Sequence, residues 1–319
     1  MDLSHLHVFC TVLETGSISN AARKLFVSQP TISMKINEME EYYQVKLIER
    51  TNKGVKPTEQ GLFLYQEGQK MLSMAKNLER HFMKPNSTYL EELHIGASGT
   101  IGGYFLPCKI IQFQELQPQF RILLNINNSY QIVMQMLNKV FDMGFVEGPL
   151  EDKLVDQCYK EGLAVDLLAE DELTIIANES LVTDGSDSLD WDYFRSLPLV
   201  LKNRGTGIRA TVEKTLGEHG LSINDLNLVM EVNRIDAVIS AVVAHKGVSL
   251  LPEAIPVKEK FKKFRLREFT FKHQYYIIYN PANADKHPFG ILLHLFKDQG
   301  SAGLYGQIKG GISAANASP

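Results

Sequence analysis

Four short stretches of this 319-residue chain carry side chains whose type and spacing could do chemistry. In the first, Ser28, Gln29, Pro30, Thr31 and Ser33 open a helix with an apolar stripe, and Met34 and Asn37 follow on its outer side. The Gln29 amide can both donate to and accept from a base edge, and small hydroxyls suit phosphates or bases. The other three stretches are polar turns after apolar strands: Ser98 to Gly103, Asn127 to Ser129, and Asn203 to Arg209. There Ser98, Thr100, Ser129 and Thr206 set hydroxyls beside helix N-termini, whose N–H groups suit an anion or carboxylate. Arg204 and Arg209 add positive charge, Asn233 adds an amide, and Glu147 is the one acid expected near these turns.

Catalytic patterns are missing. The chain has no Walker A motif, HExxH or GxSxG, and its nine histidines sit in no ligand spacing. Cys10, Cys108 and Cys158 form no CxxC pair, which argues for a reducing compartment and against a disulfide framework or zinc site. Gly205 to Ala210 nearly matches the dinucleotide fingerprint, with Glu231 about 20 residues beyond, but the fingerprint alone is a weak signal. No cofactor or metal is expected. These residues point to recognition rather than turnover. The competing class is a small-molecule-binding protein or α/β enzyme whose N-terminal helices serve only assembly.

The elements that must position these groups fall into two textures. Hydrophobic residues make up 44% and charged residues 22%, which predicts soluble globular domains, two or three by length. The start lacks a signal-peptide pattern and no run of about 18 apolar residues occurs, so a cytoplasmic, non-membrane protein is expected. Net charge is −4, yet residues 21–58 hold seven Lys/Arg against four Asp/Glu. Basic charge is therefore local.

Ser17 caps a short helix, Ile18 to Leu25, and Ser28 caps the next, Gln29 to Tyr43, with Pro30 in its first turn. Ile32, Ile36, Met39 and Tyr43 form its inward stripe. Residues 45–57 read as two short strands around an Asn-Lys-Gly turn, presenting Arg50, Lys53 and Lys56 to phosphates, with Thr58 close behind. Thr58 can also cap a helix from Glu59 to about Met83. On that helix Leu64, Gly68, Met71, Ala75, Leu78 and Phe82 follow heptad spacing, a seam for pairing two chains. A Pro/Asn/Ser/Thr cluster then breaks the helix. Beyond it, strands and helices alternate, which predicts a parallel sheet in two α/β lobes. The basic run from Lys258 to Arg267 reads as a solvated edge strand, and residues 300–319 as a disordered tail.

Four motifs in order carry a family resemblance: Glu14 to Leu25, Val27 to Ser33, Leu47 to Arg50, and Pro57 to Gly61. They resemble the LysR-type transcriptional regulators. The resemblance implies an all-α winged helix-turn-helix DNA-binding domain over 1–58 and a dimerisation linker helix and hinge over 59–89. It further implies a two-lobed α/β effector-binding domain of periplasmic-binding-protein type over 90–299. Expected partners are double-stranded operator DNA, a small effector (anionic by the turns above), a homodimer or homotetramer, and RNA polymerase if the protein activates.

Overall fold

The computed structural model describes residues 1–51, 54–82, 91–178, 187–243, 247–255, 261–284 and 288–297. The chain divides into two compact units near residue 86. The linker at 83–90 and the tail at 300–319 lie outside the described residues. Among those described, no helix is long and apolar enough to cross a membrane.

The first unit starts with α1 (Leu3–Thr15), whose N-terminus is capped by the Asp2 carboxylate accepting from the Ser4 and His5 N–H groups. The His5 ring reaches Glu38 at 2.9 Å and so ties this cap to the third helix. Ser17 caps α2 (Ile18–Leu25) and Ser28 caps α3 (Gln29–Tyr43), as expected. A hairpin of β1 (Ile48–Thr51) and β2 (Gly54–Pro57) follows, then α4 (Glu59–Phe82). Leu6, Phe9, Val12, Ala21, Ile32, Ile36, Met39 and Leu47 close the core between them. Tyr43 does not join this stripe: it is exposed at the last turn of α3, where its hydroxyl reaches the Met1 sulfur just before α1. Glu40 is buried instead, accepting from the backbone N–H groups of Leu47 (2.9 Å) and Ile48 (3.2 Å) and pairing with Lys46. Burial pushes its carboxyl pKa up, but the bonds from Lys46, Leu47 and Ile48 outweigh that and hold it below the usual range.

The second unit runs β3 (Glu91–Ser98), a π-turn (Ile101–Phe105) leading into α5 (Leu106–Leu116), β4 (Phe120–Asn127), α6 (Ser129–Leu137), β5 (Met143–Glu147) and α7 (Asp152–Lys160). It continues with β6 (Ala164–Asn178), β7 (Ser188–Leu189), α8 (Trp191–Ser196), β8 (Leu199–Lys202), α9 (Gly207–Glu218), β9 (Leu228–Val232) and α10 (Ile235–Val243). The last elements are β10 (Ser249–Pro252), β11 (Phe261–Leu266), β12 (Phe271–Tyr279) and α11 (Phe289–Lys297).

The sheet is mixed rather than parallel. β3 lies parallel between β4 and β5, and β8 parallel to β9, but β12 runs antiparallel to both β5 and β6. β6 in turn takes β10 and β11 antiparallel. The outcome is two hydrophobic cores: one around Ile95, Phe113, Phe145 and Ile277 on the eight-stranded sheet, the other around Ile175, Leu201, Val212 and Val238, to which β6 of that sheet and the separate β8–β9 pair both contribute. β6 and β12 pass through both lobes, with a bulge at Tyr275/Tyr276. β11 is not an edge strand. It pairs with β6 on one side and β7 on the other and buries Phe264, so its lysines flank apolar side chains that are fully inside.

Candidate nucleic-acid interface and ligand cleft

In the first unit, Ser28, Gln29, Pro30, Met34 and Asn37 are exposed on α3, with Thr31 and Ser33 half-buried beside them. The Ser28 hydroxyl bonds the Thr31 hydroxyl at 2.8 Å as well as capping the helix, which fixes the first turn. Two of the three acids of α3 are taken inward or sideways, Glu40 at the wing root and Glu38 against His5, while Glu41 stays exposed near the far end of the helix. Arg50 and Lys56 stand exposed on the wing as facing neighbours of Val55 and Glu49, and the wing is held down by the Val55 N–H donating to Gly16 O at 2.9 Å. Lys53 lies outside the described residues. Thr58 is not an outward-facing group. Its hydroxyl donates to Lys46 O at 2.7 Å and accepts from the Gly61 N–H at 3.0 Å, a cap for α4 inside the domain.

The proposed pairing seam on α4 is divided. Leu64 packs on the first unit's own core, and Gly68 is buried against Leu6 and Cys10. Met71 and Leu78 are exposed, Ala75 is half-buried, and Met74 joins them on the exposed side, unanticipated by the heptad. The Phe82 side chain lies outside the described residues.

In the second unit a cleft of about 640 Å³ opens between the two lobes, where the carboxyl ends of β4, β5 and β8 meet the starts of α6, α9 and α10. That is where open α/β sheets take ligands. Ser129, Glu147, Thr206 and Asn233 line it, as expected from the turns. The Ser129 hydroxyl donates to Glu147 O at 2.9 Å, and the Thr206 hydroxyl to Asn203 O at 2.9 Å. Glu147 is buried, 3.4 Å from His273 Nε2, and lies 3.5 Å from the Thr100 N–H. Ser98 and Thr100 are fully buried below the lining, and their hydroxyls have no hydrogen-bond partner among the described residues.

The two arginines fall elsewhere. Arg204 points to solvent, its side chain 85% exposed, with Glu213 3.9 Å away. Arg209 is buried on the inner face of α9, paired with Glu213 and Glu231. Glu231 thus serves as an ion-pair partner, and the glycines of the fingerprint have local jobs. Gly205 sits at φ +86°, a turn conformation other residues rarely adopt, and Gly207 touches the backbone of β5.

The cations at the cleft were not foreseen. Lys202 ends β8, is buried, and donates through Nζ to Asn233 O. Burial pulls its pKa below the ordinary lysine value, against the pull of Glu147 and Asp236. Arg234 holds Asp236 with two bonds near 2.9 Å, so Glu147 is not the only acid here. The usable signal was a charged residue closing an otherwise apolar strand, Leu199 to Lys202.

Residues 3–62 match the family described as "Bacterial regulatory helix-turn-helix protein, lysR family", and residues 88–300 match "LysR substrate binding domain". A "Probable RuBisCO transcriptional regulator" of Porphyra purpurea is 30% identical over 284 residues, covering 88% of this chain and 88% of that protein. The "Uncharacterized HTH-type transcriptional regulator YeiE" of Escherichia coli (strain K12) is 30% identical over 254 residues, 79% of this chain and 81% of the relative. The fold also matches full-length CbnR complexed with its target DNA, at a TM-score of 0.58 and 19% identity, over 97% of this chain and 100% of that one. LysR regulators bind DNA and small-molecule effectors and oligomerise, and they are not enzymes. With both family domains matched in order along its length, this chain belongs to the LysR family of transcriptional regulators.

Proposed function

We propose that α3 enters the DNA major groove through Gln29, Pro30, Ser33 and Asn37 while Arg50, Lys53 and Lys56 clamp phosphates. The supporting observation is the acid-free, exposed start of α3 beside a basic wing. Gln29→Ala is expected to cost about 1–3 kcal/mol at the specific site and to relax base preference there. Arg50→Ala is expected to weaken binding to every sequence and to lower the salt slope by about one. Titrations of both variants on one operator at several salt concentrations check this. Unchanged affinity in Gln29→Ala removes α3 from the groove.

The exposed run of Met71, Met74 and Leu78 on α4 supports its use as the pairing surface between chains. Such a regulator works in the cytoplasm, with RNA polymerase as a further partner where it activates.

The cleft binds a small anion. What supports this is Lys202, a buried cation facing a space into which α6, α9 and α10 all direct their N-termini. Lys202→Met is expected to lower the affinity of an anionic effector about tenfold or more, leaving operator binding without effector intact. The pH dependence follows from burial. The anion favours the charged amine, so its affinity falls as pH rises through the lowered Lys202 pKa, at a lower pH than an exposed lysine would give. Thermal-shift screening of metabolite anions on the full chain, then calorimetry across alkaline pH, tests both. Stabilisation by cationic compounds alone would refute the anion reading.

A further inference from the structure

Phe26 is the most anomalous side chain of the first unit. It lies in the turn between α2 and α3 at φ +54°, ψ +39°, the left-handed region that glycine or asparagine adopts at least cost. Its N–H closes α2 by bonding the carbonyls of Ala22 and Arg23, so the backbone there is fixed. The ring nevertheless packs on nothing: the residue is 95% exposed. A bulky aromatic in a strained conformation that buries no surface contributes nothing to the fold, and such strain collects at functional positions. Two residues later Ser28 caps α3, and on the outer side of α3 Met34, 54% exposed, stands one turn beyond Pro30. Two large apolar side chains thus flank the polar start of α3, in a segment of net positive charge whose core is closed without them.

A duplex offers one apolar feature on its major-groove base edges, the 5-methyl group of thymine. We propose that Phe26 and Met34 read thymine methyl groups on either side of the bases contacted by Gln29. This rests on the reading that α3 is the groove helix. The net positive charge of this segment and the acid-free start of α3 favour DNA over a second protein as the occupant.

The test uses the full-length chain and the duplex it enriches from a random pool. Each thymine in that duplex is replaced singly by deoxyuridine, which removes only the methyl. Wild type should lose about fourfold in affinity at one or more thymines of each half-site, the worth of one buried methyl group. Phe26→Ala and Met34→Ala should each become blind to one of those replacements. Phe26→Gly should do the same while raising the melting temperature, because glycine relieves the left-handed turn, and a purely structural role would not give that combination.

Either of two results overturns the proposal: a wild type indifferent to every uracil, or alanine variants as methyl-sensitive as wild type. Gln29→Ala on the same duplex tells which level failed. If it still loses binding, α3 is the groove helix and the apolar pair reads nothing. If it does not, the groove reading falls and the proposal with it.

Discussion

Gly207→Ala is expected to hold the two lobes apart and abolish the response to effector. A Cβ at Gly207 would lie 2.0 Å from the carbonyl oxygen of Glu147, and one at Gly148 would lie 2.4 Å from the carbonyl oxygen of Gly207. Real Cβ contacts essentially never fall below 3.0 Å, and these neighbours are backbone, which cannot swing aside. The start of α9 must therefore retreat from the end of β5. The overpacking should cost about 3 kcal/mol of stability in the second unit. It also separates the α9 N-terminus from Ser129 and Glu147 on the opposite wall, so two or more bonds to a charged ligand cannot form together. That predicts an affinity loss of about 100-fold or more. Calorimetry and thermal unfolding of the full chain, with and without effector, measure it. A variant with wild-type melting and a full effector shift would show that this contact does not set the width of the cleft.

Glu40→Gln is expected to be the most damaging change in the first unit that leaves size almost constant. The wild-type carboxylate accepts two backbone N–H bonds and one from Lys46 in a buried position. The amide oxygen can keep both N–H groups, which share one carboxylate oxygen, but its NH2 donor then faces the Lys46 ammonium and the buried charge is gone, so about 2–3 kcal/mol should be lost. The loss falls on the root of the wing, so DNA affinity should drop along with stability. Its sign with pH is fixed by the depressed carboxyl pKa. The stabilisation is complete above the ordinary carboxylate range and disappears as pH falls through the lower folded-state value. Melting curves between pH 7 and about pH 3 should converge for wild type and variant at the acid end. Curves that stay parallel would place the acid sensitivity elsewhere.

The first unit was legible in the sequence because its signals are local. Ser17, Ser28 and Pro30 announce helix starts, and the structure keeps each within its predicted role. The second unit was less so. The early half of β6 carries Asp166, Glu170 and Asp171 and breaks the apolar pattern, yet it is a strand because distant partners satisfy it. Tyr279 donates to Asp166 at 2.8 Å, and the Gln274 amide donates to Glu170 at 2.7 Å. Pairing with β12, about a hundred residues later in the chain, is invisible to a short window. α7 and α8 are short and were missed, as was the apolar α11. At the cleft, the turns pointed to the space that the structure shows there, but Arg204 and Arg209 do not line it and Lys202 does. Residue type cannot tell which face of α9 holds Arg209, and the buried pairing with Glu213 and Glu231 decides it. Lys202 was passed over because it ends a strand instead of sitting in a turn.

β6 and β12 cross from one lobe to the other unbroken and hydrogen-bonded to each other along most of their length. A door on a loose hinge swings freely. Two bonded strands behave as a pair of leaf springs, because any movement of the lobes must twist them against their ladder. Closure of the lobes on a ligand would wind the pair, and departure of the ligand would let it recoil. The receptor half would then behave as a stiff gauge that returns to its zero, with the bulge at Tyr275/Tyr276 a point where the ladder between the two strands is already interrupted.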